Sequence, residues 1–301
     1  MAKKEKIAAS GPKTKYGAIL TVLFTIISLL WISPIFVVIL NSFKRKAYIF
    51  KNPFGISNVP ITRGYDRWIK GVEKTFVGFL NYTNAINKTG FFKAFGYSLF
   101  ITVASVALIV LCCSMCAWYI TRVHNAATNA IYLLCLFSMI VPFQMVMFTL
   151  SKFANMLHLS NPGVIVVVYL GFGAGLAIFM FTGFVKSIPL EIEEAAMIDG
   201  CTPIQTYFQV VFPIMKPTAI TVAILDAMWI WNDYLLPSLV LNVNKYKTVQ
   251  IAVQNLKQSY GQIDWGAMMA VLVLAIIPIV IFYIFAQKYI IEGVMSGAVK
   301  G

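Results

Sequence analysis

The segment PLEIEEAAMIDGCTPIQTYFQVVFPIMKP, residues 189–217, interrupts an otherwise apolar chain. It carries Glu191, Glu193, Glu194 and Asp199, four of the eleven acidic residues in the protein. Apolar runs long enough to cross a bilayer flank it on both sides. Lipid offers no partners for such polar groups, so the segment reads as a loop at a membrane face. Its local grammar is that of two short helices joined by a bend. Pro189 suits a first helical position, where a missing N–H costs nothing. Glu191, Glu193 and Glu194 place negative charge in the opening turns, where the helix dipole favours it. Gly200 reads as a left-handed stop. Thr202-Pro203-Ile204-Gln205 reads as a capping box that restarts the helix. Pro213 and Pro217 break or kink the entry to the next apolar run.

Composition agrees with a membrane chain. Of 301 residues, 59% are hydrophobic and only 12% charged, whereas soluble domains carry about a quarter charged residues. The net charge of +13 lies in tails and loops beside apolar runs, which points to anionic lipid headgroups rather than nucleic acid. Of the five cysteines, Cys112, Cys113 and Cys116 share one apolar run and Cys135 lies in another. They read as small buried hydrophobes, with neither a metal site nor a disulfide framework.

The expected architecture is an all-α membrane protein with six transmembrane helices and both termini cytoplasmic. Residues 1–15, with Lys3, Lys4, Lys6, Lys13 and Lys15, form a basic cytoplasmic tail. Residues 16–43 are an uncleaved first span, kinked at Pro34. Residues 44–92 form a long extracytoplasmic loop. Five further spans are expected at about 94–120, 130–150, 163–185, 218–241 and 265–289, followed by a cytoplasmic tail, 290–301. The fourth span, rich in Gly171, Gly173, Gly175 and Gly183, is expected to pack closely on protein. Residues 44–93 hold ten of the 24 Lys and Arg residues, which strains the positive-inside rule; the remaining fourteen divide ten inside to four outside.

An ionisable group inside a membrane costs roughly 2.5–3.5 kcal/mol on insertion scales and needs a reason. The fifth span holds Asp226 and Asp233, which with Trp229 and Asn232 fall at i, i+3, i+6 and i+7, one helical face. That face suits a translocation path; alternatively, Asn232 and Asp233 cap a kinked helix end near Pro237. Gln144, after Pro142 in the third span, suits the path or an interhelical hydrogen bond. The tail 293–301, GVMSGAVKG, fails the phosphate-loop spacing, so no ATP site is expected in this chain. Neither a Ser-His-Asp set nor HExxH occurs, and no catalytic residue, cofactor or metal is assigned.

Several motifs carry a resemblance. Glu194-Ala195-Ala196, Asp199-Gly200, Phe212-Pro213 and Pro217 resemble the EAA loop of permease subunits in ABC importers. Trp229, Trp231, Asn232 and Asp233 resemble a signature of carbohydrate permeases, and MIVP (Met139 to Pro142) and DWGAMMA (Asp264 to Ala270) extend the match over about residues 91–301. The chain looks like the second permease subunit of a carbohydrate ABC importer of the maltose and oligosaccharide type. The first span and the loop after it match less well. The resemblance implies a type I ABC importer permease fold, with residues 93–289 as the permease domain, in the cytoplasmic membrane of a prokaryote. It implies a heterodimer with a second permease, two ATPase subunits that bind the ATP and Mg, and an extracytoplasmic sugar-binding protein. Glu193, Glu194, Ala195, Ala196, Asp199, Gly200 and Pro213 are implied as the coupling residues, their carboxylates meeting basic residues on the ATPase. Gly297 and Lys300 are implied as an ATPase-contacting tail. An ABC permease for a non-sugar solute and a secondary transporter or channel are the alternatives.

Overall fold

A computed structural model describes residues 16–258 and 263–298. The described residues form helices α1 (Gly17–Ser42), α2 (Lys46–Ile49), α3 (Tyr65–Thr75), α4 (Leu80–Thr89), α5 (Phe91–Arg122), α6 (Ala126–Ile140), α7 (Phe143–Met156) and α8 (Ile165–Val185). These are followed by α9 (Leu190–Ile198), α10 (Pro203–Thr206), a π-turn (Tyr207–Val211), α11 (Phe212–Ile214) and α12 (Lys216–Asn232). The chain ends with α13 (Leu235–Val240), α14 (Val249–Gln258) and α15 (Trp265–Ala298). The chain divides into two compact units.

The first unit comprises residues 1–83 and 264–273. Its helix α1 runs through Pro34, and 0% of its most apolar window is buried. A helix apolar on every side belongs in lipid or against another chain. The polar residues that follow fold on themselves. Lys44 is fully buried, and its Nζ donates to Asn52 O at 2.9 Å and Pro53 O at 3.2 Å. Burial pushes its ammonium below the ordinary lysine value. Asn81 Nδ2 donates to Ser42 O and Lys44 O, both at 2.8 Å.

The second unit comprises residues 84–263 and 274–301. Its axis is α5, which packs along α8 and α12 around a core that includes Ile109, Tyr169, Phe181 and Val185. Two of the four glycines behave as the sequence predicts. A Cβ on Gly173 would lie 2.6 Å from Ile109 Cδ1, and one on Gly175 would lie 2.8 Å from Cys135 O. Only glycine allows those approaches. At Gly171 and Gly183 the space is open.

Among the described residues, four helices are long and apolar enough to cross a membrane, or up to six if each of two bent pairs counts as one span. The third expected span is one of these pairs: α6 and α7 meet at 108°. Proline dictates the break. The residue before a proline is driven out of the helical region, and Val141 takes ψ 117° and Pro142 ψ 133°. The fifth expected span, about 218–241, is also not one rod. α12 ends at Asn232, and Asp233 is extended, with ψ 125°. At its entry, the run 203–214 turns 75° into α12 beside Pro217.

Candidate functional site

The loop 189–217 folds as its sequence predicts. Pro189 sits one position earlier than expected, as the N-cap of α9. Gly200 takes φ +89°, and Cys201 N donates to Ala196 O while Gly200 N donates to Met197 O, both at 3.0 Å. This pair of bonds closes the end of α9 with a left-handed glycine. Thr202 then caps α10: Gln205 N donates to its Oγ1 at 3.4 Å, and Thr202 N donates to Gln205 Oε1 at 2.8 Å. Pro213 lies in the first turn of α11.

Neighbouring residues of α9 have opposite fates. Glu193 and Ala196, three apart, are buried, whereas Glu194, Ala195, Met197 and Asp199 are exposed. Glu193 does not present its carboxylate to a partner. Its Oε1 accepts from Arg122 Nη2 at 2.7 Å and Nε at 3.0 Å, and its Oε2 accepts from Trp118 Nε1 at 2.9 Å. A carboxylate so enclosed is held inside the subunit, which departs from the expectation that it meets the ATPase. The outward face is more apolar than the sequence reading anticipated: Ile198 is 86% exposed and Ile204 67%. Both were legible as apolar residues in a polar loop.

Arg122 also donates from Nη2 to Ile188 O at 2.9 Å, at the C-terminal end of α8. A cation there complements the end of the helix dipole. The second arm of the loop meets the same stripe of α5. The Tyr207 hydroxyl lies 2.6 Å from Ser114 Oγ, and its ring packs on Trp118 at 5.5 Å. Sequence reading assigned no role to Ser114, Trp118 or Arg122. Their spacing, i, i+4 and i+8 in an apolar helix, is the signal that could have found them.

Of the expected path residues, Asp226, Trp229 and Asp233 lie against Tyr169 and Gly173 of α8, whereas Asn232 turns outward. Asp226 is buried at 3% exposure, facing the α5–α8 contact, where a Cβ on Gly173 would lie 3.6 Å from its Oδ1. Trp229 is 41% exposed, its ring edge-on to Tyr169 at 5.6 Å. Asn232 is exposed and bonds back to Met228 O at 2.7 Å. Asp233 accepts from Tyr169 OH at 3.0 Å and, through Oδ1, from Leu235 N at 2.9 Å. Asp233 thus caps α13, the capping alternative raised above, while Trp229, Tyr169 and Asp233 form one cluster. Tyr169, fully buried, was missed because a single tyrosine in an apolar span carries no local signal for a partner 64 positions away. Gln144 is exposed on α7, a different element. Gly297 lies in the last residues of α15, which continues past the expected end at 289; Lys300 lies outside the described residues.

Comparison with known proteins gives one answer. Residues 109–295 match the family model described as binding-protein-dependent transport system inner membrane component. The chain is 38% identical over 282 residues to the probable starch degradation products transport system permease protein of Thermoanaerobacterium thermosulfurigenes, covering 94% of this chain and 96% of that one. It is 32% identical over 283 residues to the multiple sugar-binding transport system permease protein of Streptococcus mutans, covering 93% and 95%. It is 30% identical over 289 residues to the arabinooligosaccharides transport system permease protein of Bacillus subtilis, covering 95% and 96%. In fold it resembles a chain from the crystal structure of a bacterial ABC transporter that imports the acidic polysaccharide alginate, with a TM-score of 0.70 at 22% identity, covering 91% and 96%. The chain therefore belongs to the family of binding-protein-dependent transport system inner membrane components.

Proposed function

We propose that the chain is the membrane-spanning permease subunit of an ATP-driven sugar importer, moving a sugar or oligosaccharide by alternating access while a separate ATPase supplies the energy. The observation that carries this reading is the face of the loop 189–217. Glu194, Met197, Ile198 and Asp199 stand exposed on a capped helix whose other face is bonded to α5. Apolar side chains rimmed by carboxylates have the composition of a protein docking surface. Ala195 adds no bulk there, and Gly200 permits the bend that brings α10 alongside.

With α6 and α7 together crossing once and α12 crossing after the loop, the four long helices among the described residues bring the crossings to six, with both termini and the loop 189–217 on the cytoplasmic side. The subunit pairs with a second permease in the cytoplasmic membrane of a prokaryote. Two ATPase subunits hold the ATP and Mg, and a binding protein delivers solute from outside. The sugars in the names of the relatives support a carbohydrate solute. So do Trp229, Asn232 and Asp233, an aromatic face beside amide and carboxylate groups that suit sugar hydroxyls. Gly297 and Lys300 belong to a tail that contacts the ATPase dimer.

The test is reconstitution of the subunit with its partner permease, ATPases and binding protein in proteoliposomes, with a panel of labelled oligosaccharides. Uptake that requires ATP inside is the expected result. Uptake by this subunit without the ATPase, or ATP-driven uptake of non-sugar solutes alone, overturns the reading.

A further inference from the structure

The stripe Ser114–Trp118–Arg122 on α5 joins elements that are distant in sequence. At its lower end Arg122 holds Glu193 of α9 through Nε and Nη2 and the Ile188 carbonyl after α8 through Nη2. One turn higher, the Trp118 indole N–H holds the second oxygen of the same carboxylate at 2.9 Å. Another turn higher, Ser114 meets the hydroxyl of Tyr207 at 2.6 Å. Both arms of the loop are therefore fixed to one stripe of one helix, and the end of α8 is tied to the same guanidinium.

The packing supports a stiff joint. Glu193 and Tyr207 are each 1% exposed, so water does not compete for their bonds. The π-turn over Tyr207–Val211 lengthens the helical repeat there. Tyr207, Val211 and Met215, spaced four apart, are all buried there. The guanidinium is planar, and its two donors reach Glu193 from a fixed fork, which a lysine cannot reproduce.

We propose that Arg122 is a positioning residue for energy coupling. Its contact with Glu193 is the joint through which movement of α9 is passed to α5 and α8 together. Glu193 acts inside the subunit, and docking to the ATPase falls to its exposed neighbour Glu194 with Met197 and Ile198. This rests on the reading of the loop 189–217 as the ATPase-docking element.

The experiment compares Glu193→Gln, Arg122→Lys and Glu194→Gln in the complete reconstituted importer. It reads co-purification of the ATPase, ATP hydrolysis and sugar taken up per ATP hydrolysed. Glu193→Gln and Arg122→Lys are expected to retain the ATPase and hydrolyse ATP while uptake per ATP falls about tenfold, the size of one lost charge-assisted hydrogen bond. Glu194→Gln is expected to do the reverse: weaker ATPase retention with unchanged uptake per ATP in the complexes that form. Should Glu193→Gln lower the amount of subunit in the membrane, Trp118→Phe carries the test, since it keeps a ring and loses only the indole N–H. The joint is overturned if Glu193→Gln and Arg122→Lys leave uptake per ATP unchanged, or if they release the ATPase as Glu194→Gln does. A wild-type complex that never retains an ATPase overturns the docking reading itself, which separates the two failures.

Discussion

Two polar segments lie between apolar helices, and they solve the same problem in opposite ways. The loop 189–217 satisfies its buried polar groups by bonding outward, to α5 and the end of α8: Glu193 to Arg122 and Trp118, Tyr207 to Ser114. The segment 44–81 satisfies most of its own internally, with ties to the end of α1, where Asn41 Nδ2 donates to Pro53 O at 2.9 Å and Asn81 Nδ2 donates to Ser42 O at 2.8 Å. Lys44 bonds the carbonyls of Asn52 and Pro53, Asn52 Nδ2 bonds Ser57 O, and Ser57 Oγ bonds Trp68 O. A segment bonded to spanning helices moves when they move. A segment bonded mostly to itself has fewer such ties, here to the last residues of α1.

The largest expected effect is at Gly200. Its φ of +89° is closed to proline, whose ring fixes φ near −65°. Proline would also remove the N–H that bonds Met197 O. Gly200→Pro should cost at least about 2 kcal/mol at the bend and abolish sugar uptake while the subunit still inserts, measured by uptake against membrane content. Normal uptake would break the comparison.

Next is Lys44→Ala, which removes the Nζ donor from the carbonyls of Asn52 and Pro53, the latter keeping Asn41 Nδ2 as a donor, and should cost about 1 kcal/mol or more locally. Limited proteolysis should cut the segment 44–81 faster, while uptake per ATP hydrolysed stays unchanged. A changed coupling ratio would show that this segment also transmits movement. Thr202→Ala removes the cap of α10 and should cost about 1 kcal/mol, read as a modest fall in thermal stability of the purified complex.

The smallest effect on stability is expected at Ile198→Ser. With the side chain 86% exposed, stability should change by less than about 0.5 kcal/mol. ATPase retention should nonetheless fall, because an apolar contact is lost at the docking face. Unchanged retention would remove Ile198 from that face.

Much of the loop was legible beforehand because its signals are local. A left-handed glycine, a Thr-Pro-Ile-Gln capping box and acidic first-turn residues act within a few positions of themselves, and the structure realises each one. Hydropathy likewise located α1, α5, α8 and α15 within a few residues. The bend at Val141–Pro142 was half legible: proline announced a disturbance, but a kinked rod and a 108° turn differ only in what packs around them. The carboxylates of the fifth span were only partly legible, for a related reason. Periodicity put Asp226, Trp229, Asn232 and Asp233 on one face, but α12 ends at Asn232, so the periodicity stops before Asp233 and that residue turns to cap α13.

What the sequence determined by itself is therefore the four long apolar helices, the caps of the loop and the membrane-borne class of the chain, since each depends on short-range sterics or on the summed hydropathy of one segment, whereas the helices α2, α3 and α4 lie in a stretch read as a loop. Only the tertiary structure decided which of two adjacent glutamates is buried, which arginine meets it, and which glycines admit a neighbouring helix. Those outcomes depend on atoms 71 positions away in the chain, as Arg122 is from Glu193. No local pattern encodes the distance across a packed interface.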